Sequence, residues 1–341
     1  MSRPAAWFAV RASVCFFAIL LGVAGLAACA TPVEQPCRDD AAAPRLEADR
    51  VIAADGAVLP LSVWRPPGEV RAVVLALHGF NDYGHAFADV GPFLARRGIV
   101  TYAYDQRGFG RTAGRGLWPC RGRLVDDARS VAALLRETYP GRPLYLVGES
   151  MGGAVAMRLL ADTPAAADGA VLVAAAVWSR ATMNPLQRAA LWLVAHTLPD
   201  LQLSGRGLGI RASDNDAMLH ALREDPLVLK KARADTLWGL ADLRDGAFAA
   251  APRLTTPTLV LYGERDEIIP RRPFCRTLAT LPPAARVAVY PDGYHMLTRD
   301  LGASAVLADL AAWLGDRDAP LPSGREFERQ RERALNNLCA S

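Results

Sequence analysis

At 341 residues the chain is long enough for one large domain or two ordinary ones, with ample core. Its composition, 51% apolar and 22% charged, is that of a folded globular protein and excludes a disordered or fibrous one. The net charge of +4 is small and the signs are interspersed, so no basic face for a nucleic acid is expected.

In chain order, Arg3 and Arg11 flank the start of an apolar run, "ASVCFFAILLGVAGLAA" (12–28), which Cys29 and the polar "TPVEQP" follow. This is the form of a secretory signal. Its end, Leu26-Ala27-Ala28-Cys29, resembles the bacterial lipoprotein signal. The resemblance implies a signal peptide over 1–28, acylation of Cys29, and a lipid anchor in the cell envelope. With Ala30 in place of Asp, it implies the outer membrane of a Gram-negative source. The alternative is an uncleaved anchor in which Cys29 is incidental, since the run is near the lower length limit for a span. Residues 29–45, rich in Pro, Ala and charge, read as a tether. After export Cys37, Cys120, Cys275 and Cys339 meet an oxidising compartment, and the sequence leaves their three possible pairings open.

From residue 46 strand-like and helix-like segments alternate. Asp55-Gly56 between apolar runs signals a hairpin over 51–66. "RAVVLALHG" (71–79) and "IVTYAYD" (99–105) are short apolar runs of the kind buried on both faces of a sheet. "AFADVGPFLARRG" between them, and "LVDDARSVAALLRETYP" (124–140), have helical spacing. "PLYLVGE" predicts a strand and "MGGAVAMRLLAD" a helix, with Ser150 between them. Further strands are expected in 169–177, 258–266 and 286–293, and a last core helix over 304–314. Such alternation predicts an α/β fold, a mostly parallel sheet with helices on both faces. Residues 178–250 break the pattern and, with Trp178, Trp192 and Trp238, read as an inserted helical cap. The core then comprises 46–177 and 251–316, and 317–341 is expected to be a charged surface tail.

The chemistry centres on "GESMGG" (148–153). In G-x-S-x-G after a strand and before a helix, the glycines permit a sharp bend that presents the serine oxygen at the top of the sheet. A serine nucleophile needs a base, itself oriented by an acid. Of five histidines, His295 in "YPDGYHML" follows the last strand at the same sheet edge. His78 is placed to brace a loop; His85, His196 and His220 read as surface or packing residues. Asp266 is the expected acid, with Glu264, Glu267 and Asp292 competing. Asp105 and Arg107 in "DQRGFG" read as loop bracing. The chain order Ser150, Asp266, His295 is that of α/β-hydrolases.

The stretches "LALHGFNDYGHAFADVGPFLARRGIVTYAYDQRGFGRT", "LYLVGESMGGAVA", "LREDPLVLKKAR", "PTLVLYGERDEIIP" and "YPDGYHML" together resemble the α/β-hydrolase superfamily. Within it they are most similar to the monoacylglycerol lipase, lysophospholipase and serine aminopeptidase S33 group. The resemblance implies Ser150 as nucleophile, Asp266 as acid, His295 as base, and the backbone N–H groups of Phe80 and Met151 as oxyanion hole. Where the group often has Ser after "RGxGx", this chain has Arg111-Thr112. The expected activity is hydrolysis of acyl esters, single-chain lipid esters first, with no metal or organic cofactor. Small-ester hydrolysis, a peroxidase-like activity and peptide cleavage share the same triad. The rival from another class is an envelope lipoprotein that uses the fold only to bind.

Overall fold

A computed structural model describes residues 31–205, 207, 209–326 and 339. The expected leader over 1–28 and Cys29 lie outside the described residues.

The strands form where the sequence is continuously apolar. They are β1 (Arg45–Leu46), β2 (Arg50–Ile52), β3 (Val58–Trp64), β4 (Ala72–Leu77), β5 (Ile99–Tyr104), β6 (Leu144–Glu149) and β7 (Gly169–Val173), then β10 (Thr258–Gly263) and β11 (Arg286–Tyr290). Two short strands, β8 (Gln202–Leu203) and β9 (Ala232–Arg233), pair apart from this sheet. The main sheet runs β1-β2-β3-β5-β4-β6-β7-β10-β11. It is parallel from β5 to β11, and β1 to β3 join it antiparallel through the Asp55-Gly56 hairpin.

Successive side chains of a strand point to opposite faces, so each parallel strand feeds two cores. Val74 and Ala76 of β4 face helices α1 (Val90–Ala95) and α8 (Ala303–Gly315), where Phe87, Leu94 and Trp313 are buried. Leu75 and Leu77 face the other side, packed with α2 (Arg123–Thr138) and α3 (Met151–Asp162). Helix α7 (Arg271–Thr280) adds Phe274 and Leu278 to that second layer. The architecture is the expected α/β one, helices on both faces of a mostly parallel sheet.

Between β7 and β10 lie α4 (Pro185–Thr197), α5 (Asp216–Glu224) and α6 (Ala234–Ala250). The cap expected over 178–250 therefore needs a correction at its end. Helix α6 packs along α3, and its Leu240, Leu243 and Ala247 belong to the core. Its apolar residues are buried there, while Asp242 and Asp245 on the same helix pair with Arg180. Helix α4 is different: Leu186, Trp192 and Leu193 are exposed on it, and Leu198 and Ile210 are exposed in the segment that follows.

The tether expected over 29–45 is docked over its described part. Cys37 is disulfide-bonded to Cys120, and Gln35 pairs through its backbone with Trp118. Gln35 also donates through its side chain to the Gly114 and Leu117 carbonyls. At the other end, Leu321 is buried, the Arg325 carbonyl accepts from Val289, and Cys339 is bonded to Cys275. The described part of the expected tail is thus fastened to the sheet edge at β11, not free on the surface.

Candidate active site

Ser150 sits between β6 and α3 with φ 51° and ψ −112°, a left-handed backbone that only glycine adopts readily. Such a residue costs on the order of 1–3 kcal/mol and persists only when its surroundings fix it. Here the Ser150 N–H donates to the Val173 carbonyl, and the Ser150 carbonyl accepts from Ala154 and Ala176. The flanking glycines serve close approach. A Cβ on Gly152 would lie 1.9 Å from the Leu77 carbonyl oxygen, and one on Gly148 would lie 2.6 Å from the Gly152 carbonyl. Helix α3 can therefore start directly over β4 and β6 only with glycine at both positions.

Asp266 and His295 lie in the loops that follow β10 and β11, at the same sheet edge. His295 Nδ1 and Asp266 Oδ2 are 2.8 Å apart, and both side chains are buried. The other carboxylate oxygen, Oδ1, accepts from the N–H groups of Ile268 and Ile269, each at 2.8 Å. Those two donors set the rotation of the carboxylate about its own axis. Two of the competing acids are otherwise engaged: Asp292 pairs with Arg265 at the surface, and Glu267 accepts from the Arg211 N–H. Burial pulls the His295 pKa down, but the Asp266 charge and hydrogen bond, helped by Glu149, outweigh it and leave the pKa raised.

The loop after β4 carries His78, Gly79 and Phe80. A Cβ on Gly79 would be 3.5 Å from the Ser150 Cβ, so this loop passes directly beside the serine. Met151 opens α3, and a first-turn N–H has no intrahelical acceptor. Phe80 packs edge-on against Phe109, with ring centroids 5.4 Å apart. His78 is fully buried and braces the loop, accepting from the Gln106 N–H at Nε2 while Gln106 donates from its side chain to the His78 carbonyl. Its Nδ1 lies 2.8 Å from the Gly79 carbonyl. Asp105 and Arg107 brace as expected: Asp105 accepts from the Gly84 and Arg111 N–H groups, and Arg107 binds Asp55 and Asp127. Arg111 pairs with Asp105, and Thr112, the departure from the family pattern, donates from its hydroxyl to the Phe109 carbonyl.

The sequence reading missed a buried ionic cluster behind the serine. Arg299, four residues after His295, donates to Asp82 and to Glu149. Glu149 is the first of the two variable residues of G-x-S-x-G. Position beside the motif was the only available signal, because a charge in "HMLTRD" reads as a surface residue by default.

The segment between β7 and β10 is fastened to the histidine loop. The Met296 N–H donates to the Ala212 carbonyl, and Asn215 Nδ2 donates to the Arg299 carbonyl. Ser213 Oγ donates to Asp300, and the Leu301 N–H donates to Asp214. Of the three tryptophans expected there, Trp178 packs against the core, Trp192 is exposed and stacks on His196, and Trp238 lies under the Arg180 guanidinium.

Residues 68–302 match the family model described as serine aminopeptidase, S33. The chain is 26% identical to the mouse monoglyceride lipase over 296 residues, 85% of this chain and 97% of that protein. It is likewise 26% identical to the monoacylglycerol lipase of Mycolicibacterium smegmatis, over 76% of this chain and 93% of that one. Among solved structures, a soluble variant of the Saccharomyces cerevisiae monoglyceride lipase superposes with a TM-score of 0.68 at 20% identity, covering 84% of this chain and 99% of that chain. The monoacylglycerol lipase of Paleococcus ferrophilus gives 0.61 at 22% identity, over 75% and 98%. Those likenesses speak for the fold, and the family match spans most of the chain: it belongs to the serine aminopeptidase S33 family of α/β-hydrolases.

Proposed function

We propose that this serine ester hydrolase cleaves single-chain lipid esters, monoacylglycerols first, with Ser150 as nucleophile, His295 as base and Asp266 as its orienting acid. The observation that carries the reading is the buried His295–Asp266 pair at the same sheet edge as a serine held in a left-handed bend. The monoglyceride lipases among its relatives, matched over nearly their whole length, support the substrate class. The apolar surface of α4 and the residues after it supports an acyl substrate.

In this mechanism His295 Nδ1 carries its proton toward Asp266, leaving Nε2 free to accept the Ser150 proton as Oγ attacks the ester carbonyl. The Phe80 and Met151 N–H groups receive the oxyanion; one such donor is worth roughly 2.7–4 kcal/mol in other hydrolases. His295 then protonates the departing glycerol oxygen, and water, activated by the same imidazole, releases the fatty acid from Ser150. The oxyanion loop passes close beside the serine, and a Cβ at position 79 would still meet Ser150 only at an ordinary contact distance of 3.5 Å, so glycine is not demanded there. Export and acylation at Cys29 would hold the enzyme at a membrane surface, where such substrates reside.

The test is hydrolysis of monoacylglycerols and of p-nitrophenyl esters from C2 to C16 by the chain and by Ser150→Ala. Activity that is greatest on long acyl chains and vanishes with Ser150 is expected. Full activity without Ser150 would overturn the mechanism, and a preference for acetyl esters would overturn the substrate class. Lipid anchoring is tested by Cys29→Ala, which should lose the enzyme from the membrane fraction.

A further inference from the structure

Three loops from distant parts of the chain must meet within a few tenths of an ångström for the proposed reaction. They are the oxyanion loop after β4, the serine bend after β6 and the histidine loop after β11. Behind their meeting point, Arg299 Nη1 lies 2.8 Å from Asp82 Oδ2, and Nη2 lies 2.7 Å from Glu149 Oε1. Asp82 is 5% exposed, Glu149 2% and Arg299 7%. Each charge stands on, or directly beside, one of the three loops. Asp82 is two residues after Phe80, Glu149 directly precedes Ser150, and Arg299 closes a turn onto the Met296 carbonyl just after His295.

We propose that Arg299 is a positioning residue, whose two-pronged contact to Asp82 and Glu149 fixes the oxyanion loop, the serine bend and the histidine loop in one register. The inference rests on the triad reading given above.

Stability alone is a poor reason for such a cluster. Removing three charges from water costs several kcal/mol per ion, and apolar replacements of equal volume are often as stable or more so. What one guanidinium supplies is direction. Its planar fork reaches two carboxylates at a fixed angle, which the point charge of a lysine does not. Further bonds constrain both carboxylates: Asp82 Oδ1 accepts from the Tyr83 N–H, and Glu149 Oε2 accepts from the Thr298 hydroxyl. A Cβ on Gly79 would stand 3.9 Å from Glu149 Oε1, so the cluster lies against the oxyanion loop itself.

The cluster also touches the base electrostatically. The charged groups acting on His295 are Asp266 from the loop after β10, Glu149 from β6, and Arg299 from its own loop. Burial lowers the His295 pKa most, Asp266 raises it, Glu149 adds to that rise and Arg299 opposes it.

The experiment compares the full chain with Arg299→Lys, Glu149→Gln and the neutral triple variant Asp82→Asn/Glu149→Gln/Arg299→Met, with Ser150→Ala as reference. Thermal unfolding, kcat, KM and the pH profile of kcat/KM are measured on one p-nitrophenyl ester. The triple variant leaves no buried charge unpaired and is expected to unfold no earlier than the wild type. Its kcat should nonetheless fall about 10- to 100-fold with KM little changed, as small misplacements of reacting groups do elsewhere. Arg299→Lys should lose kcat in the same sense. Glu149→Gln should move the acid limb to lower pH, because an anion that raises the His295 pKa is gone. A folded triple variant with wild-type kcat and pH profile would overturn the proposal, leaving the cluster as mere packing. Activity surviving in Ser150→Ala would instead sink the triad reading on which it rests.

Discussion

Replacing Asp266 with asparagine changes one atom, yet the local hydrogen bonding makes it a severe test of the proposed chemistry. Oδ1 already accepts from two backbone donors, Ile268 and Ile269. An asparagine there must keep its carbonyl oxygen at that position, which sends its NH2 group to the place of Oδ2. That group faces His295 Nδ1 at hydrogen-bond distance and can only donate. Nδ1 then becomes the acceptor, the imidazole proton moves to Nε2, and the nitrogen needed to take the Ser150 proton is blocked. The wrong tautomer costs about 10⁴ in kcat in serine proteases, which corresponds to roughly 5.4 kcal/mol of barrier. Alanine at 266 removes the orienting acid and the acceptor of the Ile268 and Ile269 N–H groups; loss of the triad acid costs about 3 × 10⁴ in kcat in subtilisin, and a comparable loss is expected. The test is kcat on a p-nitrophenyl ester, which should fall about 10⁴-fold in both variants. An Asp266→Asn enzyme within about 10-fold of the wild type would refute the tautomer argument. The pH profile adds a sign. The raised His295 pKa places the wild-type acid limb above the ordinary histidine value of about 6.5. Once the carboxylate is gone, burial dominates, and the residual limb of Asp266→Ala should lie at lower pH.

Two stability predictions follow from the scaffold. Arg107 binds both oxygens of Asp55 and both of Asp127, all buried, so Arg107→Met leaves two carboxylates without a cation. Thermal unfolding should show a loss of about 3–5 kcal/mol, which Asp55→Asn/Asp127→Asn in the same background restores; an unchanged melting temperature would disprove the role. The Cys37–Cys120 bond closes a loop of 83 residues, for which the chain-entropy model gives about 4–5 kcal/mol. Cys37→Ser/Cys120→Ser should lower the guanidinium midpoint under non-reducing conditions, and a loss below about 1 kcal/mol would mean that the docked N-terminal segment holds without it.

The parts of the fold legible in the sequence were those encoded locally. A continuous apolar run such as "VVLALHG" has few fates besides a doubly buried strand, and Gly148, Ser150 and Gly152 state their bend within five residues. What the sequence hid depends on meetings between distant segments. Arg299 is buried only because Asp82, 217 positions earlier, and Glu149, 150 positions earlier, converge on it. No neighbour of Arg299 announces that. Helix α6 was assigned to the cap because it follows a stretch of irregular, tryptophan-bearing sequence. Its alanines and leucines suit a core layer equally well, and only α3 across from it decides. The same holds for Gln35, whose polar surroundings suggested a free tether although its partners, Trp118 and Gly114, lie about 80 residues on.

The four hydrogen bonds between residues 212–215 and the loop 296–301 divide the inserted segment into two mechanically unequal halves. A large excursion of residues 212–215 would break these bonds or drag the loop that carries His295, the base of the proposed reaction. None of these four bonds involves the earlier half, α4 with its exposed Leu186 and Trp192. A displacement of α4 would therefore leave the fastening of the histidine loop intact, whereas one at 212–215 would not.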